Sequence, residues 1–279
     1  MKTKLSLLLI SKDADELLEA CLRSSKGLVD EIIIIDDFSS DRTLEIAKRY
    51  NAKIYLHHEH DFGKQRAYGL KKVSGEWVLV LDSDEVLSDG LKSEINKILS
   101  PRLSRDSRMT ISGYLIPFQN HFLGRPVKYG GENYKMLRLF KKDSVGIEPG
   151  LVHEHFALKQ GKVGKLKHKI YDYSYRSLIQ VFKKFTDYAI REAKQKIKKS
   201  ERTSFKKIFI YPPHMFWARF IKDKGYKDGI FRLPLDLGFA YMEFLTYFLM
   251  LFFERSREEK TKKFSTCLAG RQASSNNKR

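Results

Sequence analysis

The chain has 279 residues, 42% of them hydrophobic, enough for one large domain or one domain with a helical annex. Its 53 Lys and Arg against 34 Asp and Glu give a formal charge of +19, which predicts attraction to a polyanion: nucleic acid, an anionic membrane surface or a phosphorylated substrate. The two cysteines, Cys21 and Cys267, lack metal-ligand spacing and argue against a disulfide framework, as in a reducing cytosol. The opening MKTKLSLLLISKD has too short an apolar run for a signal peptide and no small-residue cleavage site, so a cytoplasmic location is expected.

Residues 4–10 read as a first strand, and the apolar spacing of Leu17, Leu18, Cys21 and Leu22 predicts a helix from Ala14 to Ser24. EIIIIDD (31–37) is continuous rather than alternating, the pattern of a central parallel strand covered on both faces. Ser39-Ser40-Asp41 supplies N-cap chemistry for a helix over 42–50. A third strand is expected at 52–58, a third helix at 64–72 and a fourth strand at 76–82. Strand-helix alternation with short connectors predicts an α/β fold with a doubly wound, mostly parallel sheet and helices on both faces.

Ligands of such sheets bind beyond the carboxyl ends of the strands. Ser11 to Asp13, Asp36-Asp37, and Asp82, Asp84 and Glu85 all fall at such ends. Carboxylates crowded after WVLVL repel one another unless a cation sits among them. Hard ions such as Mg²⁺ or Mn²⁺ take oxygen ligands and favour few carboxylates plus substrate phosphates. A metal-diphosphate site is therefore expected there.

From about Gly113 the text turns to strands and loops rich in aromatic and basic residues. Residues 177–199 predict a basic amphipathic helix with Leu178, Val181, Phe182, Phe185 and Ala189 on its apolar face. Tyr211-Pro212-Pro213 interrupts the pattern, and a further helical stretch is expected from about His214 to Lys222. The run 239–253 is apolar and aromatic but short for a membrane span, and Asp236 and Glu243 argue against one.

In order and spacing, EIIIIDDFSSDRT, FGKQRAYGL and GEWVLVLDSDE resemble the nucleotide-sugar domain of family 2 glycosyltransferases, of GT-A (Rossmann-like) fold. KMLRLFKKDSVGIEPGLVHEH, YSYRSL and GYKDG are similar to the branch containing lipopolysaccharide-core β-1,4-glucosyltransferases. The resemblance implies a nucleotide-sugar-binding half over 1–110 and an acceptor-side half over 111–175. A helical, basic, membrane-facing extension would follow over 176–254, then a charged tail of disordered composition over 255–279.

The same resemblance places Ser11, Asp13, Asp36 and Asp37 by the base and ribose, and Lys64 and Arg66 by the nucleotide-sugar. Asp82 would face the ribose side and share with Asp84 the D-x-D role, Asp84 holding Mn²⁺ or Mg²⁺ on the diphosphate. His153 would help with metal or diphosphate. The implied reaction is inverting transfer of a hexose, glucose in that branch, from a UDP-sugar to a glycan or glycolipid acceptor. It requires a carboxylate base; Glu132, Glu148 and Glu154 are candidates, and Glu154 in VHEH matches the family's His-Glu pair. Three departures touch the pattern: Asp172 where a histidine is usual, Phe38 for a glycine and Ala67 for an asparagine.

The positive charge then suits docking on an anionic membrane, through the basic helix 177–199 and the aromatic C-terminal segment, on the inner face of the cytoplasmic membrane. Two rivals remain. WVLVLDSDEVL also fits a haloacid-dehalogenase-type phosphatase with Asp82 as nucleophile, which leaves the first 75 residues without a role and lacks a later acid pair. A basic nucleic-acid-binding protein fits the charge, yet no zinc, helix-turn-helix or RNA-binding signature is present, so nucleic acid is not expected.

Overall fold

The computed structural model describes residues 4–59, 61–100, 111–148 and 155–253. In chain order β1 is Leu5–Ser11, α1 Leu18–Ser25, β2 Glu31–Asp36, α2 Thr43–Arg49, β3 Lys53–Leu56, α3 Phe62–Leu70 and β4 Trp77–Asp82. These follow the predicted alternation, each boundary shifting by a few residues. β5 (Glu85–Leu87) and α4 (Asp89–Leu99) come next, then the long β6 (Ile111–Phe122), β7 (Arg125–Pro126), β8 (Lys135–Lys141), β9 (Val145–Glu148), β10 (His155–Leu158), β11 (Lys162–Lys165) and β12 (Ile170–Tyr175). The helical annex comprises α5 (Leu178–Lys198), α6 (Phe205–Phe209), α7 (Tyr211–Trp217) and α8 (Ile230–Phe253).

The main sheet runs β3-β2-β1-β4-β8-β6-β12-β5, with β7 and β11 also on β6, while β9 and β10 pair as a separate hairpin. It is parallel through β3, β2, β1 and β4. Beyond β4 it is mixed, because β8 enters antiparallel to both β4 and β6. The helices flank this central sheet.

The apolar run of β1 is explained by coverage on both faces. Leu5, Leu7 and Leu9 join Leu18, Cys21 and Leu22 of α1 and Ile46 of α2. Leu8, one step out of phase, joins Ile33, Ile35, Val78 and Val80 under Tyr68 and Leu70 of α3. Each fully buried leucine contributes roughly 1.5–3 kcal/mol. Close approach of α3 requires a residue without Cβ at Gly69, where one would stand 2.5 Å from Leu8 Cδ1.

Chain-entry signals differ in detail from the predicted ones. α2 has no side-chain cap of its own; Asp41 accepts from the Thr43 amide, and Ser39 turns to Asp36 instead. Pro212 and Pro213 start α7 rather than end a helix, occupying its first turn where missing N–H groups cost nothing. The apolar face of α5 is buried through Val181, Phe185, Ala189 and Ala193. α8 packs on it, with Leu235 beside Val181 and Phe185, and Tyr247 and Met250 beside Ala193 and Ile208.

Candidate active site

Register aligns the polar strand ends. Ser11 pairs with Asp36 across β1 and β2, and Ile10 with Asp82 across β1 and β4. The predicted rim is thus one edge of one sheet.

At the β1–β2 end of this edge Asp36 is fully buried and faces inward. Its carboxylate accepts from Ser11 Oγ at 2.8 Å, Ser39 Oγ at 2.6 Å and the Ser39 amide at 2.7 Å. Asp36 therefore fixes the loop after β2. The exposed Asp13 locks the same loop from outside, accepting from the Ser40 amide at 2.8 Å. Asp37 is the rim carboxylate here, 2.5 Å from His58 Nδ1 and 3.8 Å from Lys12 Nζ. Phe38, where the family has glycine, holds a φ of 54° and is exposed. Lys64 is exposed in the first turn of α3, its ammonium 4.0 Å from Glu59. Arg66, two residues on, points inward.

The carboxylates after β4 divide into two groups. Asp82 receives Arg66 Nη2 at 2.6 Å on one oxygen and Arg138 Nη2 at 3.1 Å on the other. Burial pushes its carboxyl up, but the two guanidiniums outweigh that and hold it well below the usual range. Arg138 also donates to Glu85 at 2.8 Å, and Glu85 accepts from the Asp82 amide at 2.9 Å. Burial drives the Glu85 carboxyl upward. Asp82, Glu85, Arg66 and Arg138 thus form one hydrogen-bonded ionic cluster.

Asp84 turns away from that cluster. One oxygen accepts from Ser174 Oγ at 2.8 Å, the one hydrogen bond that the side chain makes among the described residues. β12 brings Asp172 alongside, paired in register with Glu85, and the Tyr173 amide donates to the Asp84 carbonyl at 3.0 Å. Burial, with the Asp84 charge beside it, pushes Asp172 up to about 6. Lys184 of α5 faces the same carboxylates; burial lowers its pKa, and Tyr188, Asp84 and Asp172 more than restore it.

Among the described residues no three His, Cys, Asp or Glu side chains close on one point. A cation here would draw remaining ligands from substrate phosphates, the usual habit of Mg²⁺. The donor set fits: one open carboxylate, a second beside it, all oxygen. Asp82, expected to share the metal, instead has both oxygens on guanidiniums.

Glu132, a candidate base, is buried and bonded to Asn120, Arg219 and Arg232, so its carboxylate anchors these side chains. Glu148 ends β9. His153 and Glu154 lie outside the described residues. Sequence reasoning missed Arg138 and Lys184. The signal for Arg138 was a charged residue inside the apolar run MLRLF; for Lys184 no signal separates it from Lys183.

Residues 6–140 match the model of the family described as Glycosyl transferase family 2. This stretch is a family 2 glycosyltransferase domain. An uncharacterized glycosyltransferase of Rickettsia bellii is 25% identical over 250 residues, 87% of this chain and 84% of its own length. Among solved structures, Staphylococcus aureus TarS 1-349 in complex with UDP-GlcNAc is similar at a TM-score of 0.46 and 13% identity, over 91% of this chain and 92% of that one. Glucosyl-3-phosphoglycerate synthase from Mycobacterium tuberculosis, in complex with Mn²⁺, UDP and glucosyl-3-phosphoglycerate, gives 0.35 and 19%, over 54% and 62%. The chain is a glycosyltransferase, and neither the phosphatase nor the nucleic-acid-binding reading is retained.

Proposed function

We propose that this glycosyltransferase moves a hexose, glucose by resemblance, from a UDP-sugar to a lipid-linked glycan of the lipopolysaccharide-core kind. Transfer proceeds with inversion and with Mn²⁺ or Mg²⁺ at Asp84. One observation carries the reading: Asp82 is neutralised by Arg66 and Arg138, while Asp84 turns to the rim beside Asp172 with an oxygen open.

The division suits a nucleoside diphosphate. Asp36, through Ser11 and Ser39, holds the loop that would meet base and ribose, and Asp37 offers an acceptor to their N–H and O–H groups. Asp82, fixed by its clamp, presents a set carboxylate edge to the ribose side. Asp84 would hold the cation, with Ser174 aiming it and Asp172 adjoining. When bound, the cation offsets charge on the departing diphosphate. Lys184 and Lys64 add positive charge at the same rim. Glu154 is the proposed base that takes the proton from the acceptor hydroxyl, with His153 beside it.

Calorimetric titration with UDP should show binding that requires Mn²⁺ or Mg²⁺ and disappears in Asp84→Ala. Equal binding in chelator, or in that variant, removes the metal from Asp84. Glu154→Gln should retain UDP binding and lose transfer; full transfer would eliminate Glu154 as base. Thermal stabilisation across a set of UDP-sugars identifies the sugar.

A further inference from the structure

The helices first read as membrane-facing are partly used in packing: α5 and α8 bury part of their apolar faces against each other, with about a third of the apolar stretch of α8 buried. The segment between them is not used this way. Phe205 is 77% exposed, Phe209 62%, Ile210 55%, Trp217 50% and Ile221 47%. Phe205 and Phe209, one helical turn apart, stack in parallel at 6.4 Å in solvent. Such a run of uncovered large apolar side chains marks an interaction surface.

Charge identifies what it meets. Lys206, Lys222 and Lys224 are exposed between the aromatics. Residues 202–230 hold seven Lys or Arg and two acids, Asp223 and Asp228. Asp228 is already used, accepting from the Lys128 and Tyr129 amides and pairing with Arg232 at 2.9 Å. Two copies meeting through this surface would set lysines against lysines, which disfavours a dimer. A bilayer with anionic headgroups satisfies both features, taking the rings into its interface and the ammonium groups at its phosphates.

We propose that α6, α7 and the turn through Lys224 form a docking surface for an anionic lipid bilayer, with Phe205, Phe209 and Trp217 entering the interface. α8 extends the same surface. Its Phe244 stacks on Phe248 at 5.5 Å, Phe248 meets Phe252 edge-on at 5.1 Å, and Phe252 is 54% exposed. Tyr247 of α8 also receives Lys207 at 5.5 Å and Tyr211 at 5.6 Å, holding α6 and α7 to α8. This docking does not depend on the identity of the donor.

Trp217 makes the test direct, because the other tryptophan, Trp77, is only 7% exposed in the core. The full chain is mixed with vesicles of phosphatidylcholine alone or with phosphatidylglycerol added. With anionic vesicles the protein should sediment and its emission should shift to the blue; Trp217→Phe should sediment equally and show no shift. Phe205→Ser with Phe209→Ser should lose tenfold or more in partitioning. Lys206→Glu with Lys222→Glu should lose still more, at roughly fivefold per charge removed. Both double variants alter exposed side chains, and UDP binding checks their folding. Unshifted Trp217, wild-type partitioning in both double variants, or a dimer that these variants dissolve would each overturn the proposal.

Discussion

Glu31 stands at the end of β2 remote from the carboxylate rim and is almost wholly buried. Burial pushes its carboxyl up, but hydrogen bonds from Lys53 at 2.9 Å, Ser6 Oγ at 2.6 Å and the Ser74 amide at 2.9 Å outweigh this and bring it to about 2. A carboxyl depressed in the folded state contributes stability above its ordinary pKa and loses it as pH falls toward the folded value. Glu31→Gln should therefore cost about 2 kcal/mol at pH 7, with Lys53 exposure weakening the charge contribution. The wild-type and variant curves should converge between pH 4.5 and 2 in urea titrations. Curves that stay parallel would assign the cost to packing alone. Individual carboxylates were legible as candidates for the rim, but their direction was not. Asp36 and Asp37 are adjacent, yet one faces the loop interior and the other the rim, because successive residues at a strand end point to opposite sides.

At the level of elements, β1, β2 and β4 were readable because they are covered on both faces and so run largely apolar, while β3 lies at the sheet edge and is only partly covered. β8 was not placed by its sequence. Its apolar run suggests a strand, but only the fold sets it antiparallel between β4 and β6, which carries Arg138 to Asp82. β12 likewise delivers Asp172 to Asp84 from 88 positions along the chain, a juxtaposition that no local pattern encodes. The annex is mounted by a buried ionic knot. Arg232 is fully buried and donates to Asp236 at 2.9 Å, Asp228 at 2.9 Å and the Gly130 carbonyl at 3.1 Å. Gly130, at a φ of 63°, leaves room that a Cβ would take from Arg232 Nη2. Arg232→Met would strand the fully buried Asp236 beside Glu132, a loss of roughly 3–5 kcal/mol. Guanidinium denaturation measures it, and a loss under 1 kcal/mol would mean that Arg219, 3.1 Å from Asp236, compensates alone.

For the whole molecule the excess of positive charge has two opposed consequences, and ionic strength separates them. A charge of +19 on one chain repels itself and weakens the compact state. The same charge draws the protein to anionic surfaces. Salt screens both, with a Debye length of about 10 Å at 0.1 M. The close pairs, Arg66 with Asp82 and Arg232 with Asp236, lie at 2.6 and 2.9 Å and are part-buried or buried, so salt weakens them less than the long-range repulsion. Raising NaCl from about 20 to about 300 mM should therefore raise the melting temperature by a few degrees while lowering partition onto anionic vesicles. Calorimetry and vesicle sedimentation on the same salt series read the two effects. A melting temperature that falls with salt would show that paired charges, not the net excess, set the electrostatic stability of the fold.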